Sequence, residues 1–128
     1  NMETLYKKQV LIVDTIGLLT KLYQYAKVAY IGGAMGSTGL HNTLEAAVFG
    51  VPIIIGKNYD RFPEAKALLA QGGLVSVQDA SSFKKSLDAF VEDENFRHAC
   101  GQKNKAYVGK NKGATALITE KIQAMLTV

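Results

Sequence analysis

The sequence predicts an α/β fold: a doubly wound, Rossmann-like parallel sheet covered by helices. Three observations carry that expectation. Short apolar runs rich in β-branched residues alternate four times with segments of helical spacing. The runs are apolar throughout rather than at every second residue, which is how strands read when helices cover both faces of a parallel sheet. Glycines stand where each run or helix should stop, at Gly32-Gly33, Gly50, Gly56 and Gly72-Gly73.

Taken in order, "QVLIVD" (9–14) reads as the first buried strand. "TIGLLTKLYQYA" follows as a helix, with Ile16, Leu19, Leu22 and Tyr23 at helical spacing. "KVAYIGG" (27–33) is the second strand. His41 to Phe49 is expected as a helix packing through Leu44, Ala47 and Val48, with Gly50 as its stop. "VPIIIG" (51–56) is the third strand, and Pro52 is tolerable at its start because no ladder bond is lost there. Pro63 opens a helix through Gln71, since its fixed φ suits a first helical position. "LVSV" (74–77) is a fourth, short strand. Helices alone remain, with apolar stripes at Phe83, Leu87, Phe90 and Val91, then Phe96, Cys100 and Tyr107, then Ala114, Leu117, Ile118, Met125 and Leu126. No repeat or low-complexity linker interrupts the pattern, so residues 1–128 are expected to form a single α/β domain.

Composition narrows the function. At 48% hydrophobic and 20% charged, the chain has the balance of a globular protein. No segment approaches the ~18 apolar residues of a membrane span, and the N-terminus lacks the apolar core and cleavage site of a secretory signal. The net charge of +4 comes from dispersed lysines, including Lys103, Lys105, Lys110 and Lys112. A solvated helix face accounts for them; an anionic partner such as a nucleotide or a phospholipid surface is the alternative. Arginine is limited to Arg61 and Arg97 and no basic run is interleaved with aromatics, so no nucleic-acid partner is expected. Cys100 is the sole cysteine, which excludes an internal disulfide and argues for a small buried thiol. His41 and His98 lack metal-ligand spacing, and neither a metal nor a cofactor is expected.

Sheets of this kind bind ligands at the carboxyl ends of their strands. Three loops gather there: Asp14 to Gly17, Gly32 to Leu40, and Gly56 to Phe62. The second is the most unusual. Gly33 and Gly39 suit a backbone that a ligand approaches closely. A helix starting near Leu40 would aim free N–H groups and its dipole into the loop, making an anion site to which Ser37 and Thr38 add hydroxyls. His41, Asn42 and Glu45 then share one helix side, away from the Leu44/Val48 stripe. Glu45 is open to two readings: an acidic residue favoured by the helix start, or a carboxylate accepting the hydroxyls of a ribose. In the first loop, Asp14 or Thr15 is expected to cap a helix while Gly17 offers backbone contacts. Lys57, Asn58, Tyr59, Asp60 and Arg61 crowd the third, as a polar turn or as substrate contacts.

No phosphate loop of the nucleotide-hydrolase kind is present, because "GGAMGSTG" lacks the Lys-Ser or Lys-Thr step. No Ser-His-Asp arrangement and no carboxylate pair placed for glycoside hydrolysis appears, so no catalytic residue is expected within this chain.

"VDTIGLLTKLYQYAKVAYIGGAMGSTGLHNTLEAAVFGVPIIIG" resembles the C-terminal domain of 3-deoxy-D-manno-octulosonic acid (Kdo) transferases, which are GT-B glycosyltransferases of two Rossmann-like domains. The family pattern runs Asp-Thr-apolar-Gly-Glu, then a strand ending Gly-Gly-Ser, then Gly-Gly-His-Asn-Pro-Leu-Glu-Pro-Ala. Asp14, Thr15, Gly17, Gly32, Gly33, Gly39, His41, Asn42, Leu44, Glu45 and Ala47 match it. Leu18 stands for the glutamate, Leu40 for a glycine, and Thr43 and Ala46 for the two prolines. The third loop is also altered, with Gly56-Lys57 for Gly-Pro and Arg61-Phe62 for Asn-Phe.

The resemblance implies transfer of Kdo from CMP-Kdo to lipid A in lipopolysaccharide synthesis, by metal-independent direct displacement at the sugar's anomeric carbon. It implies that Glu45 holds the cytidine ribose, that the glycine-rich loop and Asn42 meet the phosphate, and that Gly17 gives backbone contacts. It further implies an N-terminal domain, preceding Gln9, that carries a membrane anchor, the lipid A site and the catalytic base. The whole enzyme would work at the cytoplasmic face of the bacterial inner membrane, against an anionic membrane surface, while this chain alone would be soluble and inactive. Another glycosyltransferase, a nucleotide-sugar epimerase, or a binding module without chemistry are the alternatives.

Overall fold

The structure is a computed structural model that describes residues 7–127. Its centre is a three-stranded parallel sheet in the order β1-β2-β3, with β1 at Ala29–Ile31, β2 at Ile53–Ile55 and β3 at Leu74–Ser76. Ala29 pairs with Ile53, and Ile53 with Leu74. The expected α/β class, with parallel strands joined by helical crossovers, is what the chain forms.

β2 shows why these runs are continuously apolar. Ile53, Ile54 and Ile55 are all fully buried, because β2 is the middle strand and helices cover both of its faces. Each such side chain contributes roughly 1.5–3 kcal/mol by leaving water. On one face Ile53 and Ile55 pack with Ala46, Ala47, Ala65 and Leu68, from α2 (Leu44–Ala47) and α3 (Pro63–Ala70). On the other, Ile54 packs with Phe90 of α4 (Ala80–Glu92) and Cys100 of α5 (Glu94–Asn111).

Pro63 begins α3 as expected. α4 is capped by Asp79, whose carboxylate accepts from the Ser82 N–H at 2.8 Å while Ser82 Oγ accepts from the Asp79 N–H. Asp93 ends α4 and starts α5 by accepting from the Phe96 N–H at 2.8 Å. α5 crosses close over the end of α2, where a Cβ on Gly101 would strike the Gly50 carbonyl oxygen. Farther along α5, fully buried Asn104 donates to the carbonyls of Val51 (2.8 Å) and Gly73 (2.7 Å), tying the start of β2 to the turn before β3. Cys100 is the buried thiol expected, its pKa pushed up by burial more than the Lys103 charge pulls it down.

Four expectations fail. Residues 9–14 form no strand: Val10, Leu11 and Ile12 are exposed, because no neighbouring strand among the described residues takes up their backbone groups. The following helix shrinks to α1 (Leu19–Leu22) and a 3₁₀ turn (Tyr23–Tyr25), and Leu18, not Asp14 or Thr15, stands at its N-cap without a side-chain cap. Leu44 and Val48 face outward, while Ala46 and Ala47 form the buried side of α2, with buried Thr43 at its N-cap. Val91 and the stripe on α6 (Ala114–Leu126) are also exposed: Leu117, Ile118, Met125 and Leu126 meet no covering element among the described residues.

Candidate functional site

The loop after β1 is folded back on itself by backbone contacts. The His41 N–H donates to the Gly32 carbonyl at 3.1 Å, and Thr38 Oγ1 reaches the Gly33 carbonyl at 3.4 Å. Gly33 has φ +94°, and a Cβ there would run into the Gly39 carbonyl oxygen. The loop after β2 clamps the far side. The Asn58 N–H donates to the Ala34 carbonyl at 2.8 Å, and its side-chain Nδ2 donates to the Gly36 carbonyl at 2.9 Å.

α2 does not begin where expected. Residues 41–43 are not helical, and the helix is a single turn starting at Leu44. Asn42 Oδ1 accepts from the Leu44 N–H at 3.0 Å, so the side chain occupies a first-turn donor that was expected to face a ligand. The competing interaction is local: an Asn two residues ahead offers the backbone an acceptor within a single turn. The same side chain still brings Asn42 and Glu45 together, its Nδ2 donating to Glu45 Oε1 at 3.3 Å.

The candidate residues divide between two cavities. His41, Asn42 and Glu45 line the first, about 540 Å³ in volume, together with Gly32, the length of β1 and the inner side of α1 and the 3₁₀ turn. Ser37, Thr38 and Gly39 line the second, about 580 Å³, facing Asn58, Asp60 and Arg61 across the loop. Gly33 sits at the neck of the loop. Gly17, with φ +89° and fully exposed surroundings, lines neither.

Periodicity alone missed two residues. Tyr23, read as part of a core stripe, lines the first cavity, and its pKa is raised by burial and then by the Glu45 charge. Asn58, one of several polar residues in a turn, holds the glycine-rich loop in place; nothing in the spacing distinguishes it from Lys57 or Asp60. Among the described residues no group of three His, Cys, Asp or Glu side chains converges as a metal site. In chemical terms the first cavity offers a carboxylate and an amide beside apolar walls, which suits a nucleoside. The second offers hydroxyls, backbone groups, the Arg61 guanidinium and the Asp60 carboxylate, a polar lining of mixed charge.

Comparison with known proteins bears on the family and the fold. The chain is 28% identical over 120 residues to the 3-deoxy-D-manno-octulosonic acid transferase of Haemophilus influenzae, covering 92% of this chain and 28% of that protein. It is 32% identical over 101 residues to the Chlamydia pneumoniae enzyme of the same name, covering 77% of this chain and 23% of that one. The chain thus spans about a quarter of the length of these curated relatives. Its fold matches the crystal structure of the C-terminal CMP-Kdo binding domain of WaaA from Acinetobacter baumannii, with a TM-score of 0.69 at 24% identity, over 76% of this chain and 51% of that one. The resemblance read from Asp14 to Ala47 is borne out by these relatives. Residues 3–107 match the family described as "Glycosyl transferases group 1", and the chain belongs to that family.

Proposed function

We propose that residues 1–128 form one α/β domain, the donor-binding part of a Kdo transferase that moves Kdo from CMP-Kdo to lipid A. The observation that carries this reading is the grouping of His41, Asn42 and Glu45 in one cavity at the carboxyl end of β1. Glu45, held by Asn42, accepts the two ribose hydroxyls of the cytidine, and the apolar walls take the base. The phosphate lies toward Gly33, Ser37, Thr38 and Gly39, where loop N–H groups and hydroxyls stabilise its charge. Gly17 supplies backbone contacts to the donor.

In the transfer, an acceptor hydroxyl attacks the anomeric carbon of Kdo, the bond to the phosphate oxygen breaks, and CMP leaves with the electron pair. This chain binds and orients the donor and stabilises the leaving phosphate; the base that takes the hydroxyl proton, and the lipid A and membrane contacts, belong to the rest of the enzyme. Among the described residues, no helix is long and apolar enough to cross a membrane. The whole enzyme acts at the cytoplasmic face of the inner membrane.

Titration calorimetry with CMP, UMP and UDP tests the reading. CMP should bind most tightly, and Glu45→Ala should weaken it at least tenfold. Equal affinity for all three, or CMP binding that is indifferent to Glu45→Ala, would overturn it.

A further inference from the structure

A β-turn forms the wall of the second cavity that faces the glycine-rich loop. The Phe62 N–H donates to the Tyr59 carbonyl at 2.9 Å, so Asp60 and Arg61 are the two central residues of the turn. Tyr59 and Phe62 pack against the core cluster that holds Ile53 and Ile55. The Phe62 ring also reaches Gly39, where an added Cβ would sit 3.5 Å from its Cζ. Both ends of the turn are thus anchored, while its exposed tip lines the cavity. Behind the tip, Asn58 bonds the Ala34 and Gly36 carbonyls, and a Cβ at Gly56 would strike the Ala34 carbonyl group. The two loops therefore hold a fixed separation.

The charges at the tip are not matched to each other. Among the described residues the ion pairs are Lys84 with Asp88 and Arg97 with Glu94, so Asp60 and Arg61, though adjacent, form none. The only other arginine is occupied, its Nη1 donating to the Phe90 carbonyl at 2.8 Å. Among the described residues Arg61 is the one lysine or arginine that lines either cavity. A guanidinium and a carboxylate side by side suit a simple anion poorly. They suit a sugar acid, whose carboxylate takes the guanidinium and whose hydroxyls donate to the aspartate.

The donor assigned above carries such a sugar. Kdo is an ulosonic acid, so its carboxylate is bonded to the anomeric carbon, the same atom that carries the phosphate oxygen. Two anionic groups on one atom repel each other, and a cation beside them offsets that repulsion. With the phosphate at Ser37, Thr38 and Gly39, the carboxylate reaches the facing wall, and Arg61 is the cation on that wall.

We infer that Arg61 is the specificity-determining residue for the donor's sugar: its guanidinium holds the carboxylate at the anomeric carbon through paired N–H groups, and Asp60 accepts from the sugar's hydroxyls. The assignment rests on the donor-site reading and leaves the nucleoside cavity to Asn42 and Glu45.

Titration calorimetry of the 128-residue chain with CMP and with CMP-Kdo tests it. The unaltered chain should bind CMP-Kdo at least tenfold more tightly than CMP. Arg61→Gln should remove that difference and leave CMP affinity within twofold, which also reports a folded variant. Arg61→Lys, which keeps the charge but not the paired N–H geometry, should retain only part of the difference. CMP-Kdo binding no tighter than CMP in the unaltered chain, or a preference that survives Arg61→Gln, would overturn the assignment while the donor site stands. An equal loss for both ligands in Arg61→Gln would put Arg61 on the phosphate and also overturn it. CMP binding that is absent, or indifferent to Glu45→Ala, would overturn the donor-site reading and this assignment with it.

Discussion

Asn42 grips Glu45 across the first turn of α2: its Nδ2 lies 3.3 Å from Glu45 Oε1 while its Oδ1 accepts from the Leu44 N–H at 3.0 Å. One side chain therefore starts the helix and aims the carboxylate. Asn42→Ala should cost about 0.5–1 kcal/mol of stability, the net worth of an exposed side-chain to backbone hydrogen bond. Asn42→Asp keeps the acceptor for Leu44 but sets a second negative charge beside Glu45. Urea denaturation should show little change for the aspartate variant, and calorimetry should show both variants losing CMP affinity.

Tyr23 reports on Glu45. Burial and the Glu45 charge both disfavour its phenolate, raising its pKa above the ordinary value of 10.0. A folded-state pKa above the unfolded one means that the unfolded chain releases its proton first as pH rises. Stability from this group is therefore intact below about pH 10 and is lost as pH climbs through the folded value. Denaturation midpoints measured across that range should fall, and Tyr23→Phe should remove part of the fall. Glu45→Gln should lower the Tyr23 pKa, read by ultraviolet difference spectra against the Tyr23→Phe chain.

Gly33 and Gly17 separate backbone conformation from crowding. Both have positive φ, +94° and +89°, but a Cβ at Gly33 strikes the Gly39 carbonyl oxygen whereas nothing lies within 4 Å at Gly17. Gly17→Ala should cost only the conformational penalty, roughly 1–2 kcal/mol. Gly33→Ala adds a backbone clash and should cost on the order of 3 kcal/mol or more. Thermal unfolding of the two variants side by side checks the difference, and equal losses would contradict the loop geometry.

Asn104 holds two strands from outside the sheet. Asn104→Ala leaves the buried Val51 and Gly73 carbonyls without their donor and opens a void, an expected loss of about 3 kcal/mol. Asn104→Asp should be worse at neutral pH, since a carboxylate has no N–H to give and its charge is fully buried. Chemical denaturation at pH 7 ranks the variants.

Much of the fold is legible because burial leaves a local trace. Val51 to Ile55 reads as a strand covered on both faces, and Ile53, Ile54 and Ile55 are buried as a middle strand requires. Pro63 and Gly72 mark the ends of α3 because their backbone preferences act within one turn, whatever surrounds them. The site is legible in its residue types: a histidine, an asparagine and a glutamate within five positions after a glycine-rich loop lie together in one cavity.

What periodicity misplaced was decided by contacts between distant segments. Residues 9–14 have the composition of a strand, but a strand exists only when a neighbour takes its hydrogen bonds, and in this structure β1 does not. Leu44 and Val48 have helical spacing, yet α2 turns Ala46 and Ala47 inward, where they pack in the core with Ile53 and Ile55 of the sheet. The division of the glycine-rich loop between two cavities depends on Asn58, twenty-two residues away from Gly36. By itself the sequence determined the α/β class, the strand runs and the residues available to a donor, since apolar pattern and backbone preference are properties of short stretches. Only the tertiary structure decided which of those runs pair, which helix faces are covered and which polar side chains meet, because hydrogen-bond partners and packing neighbours are supplied by residues far along the chain.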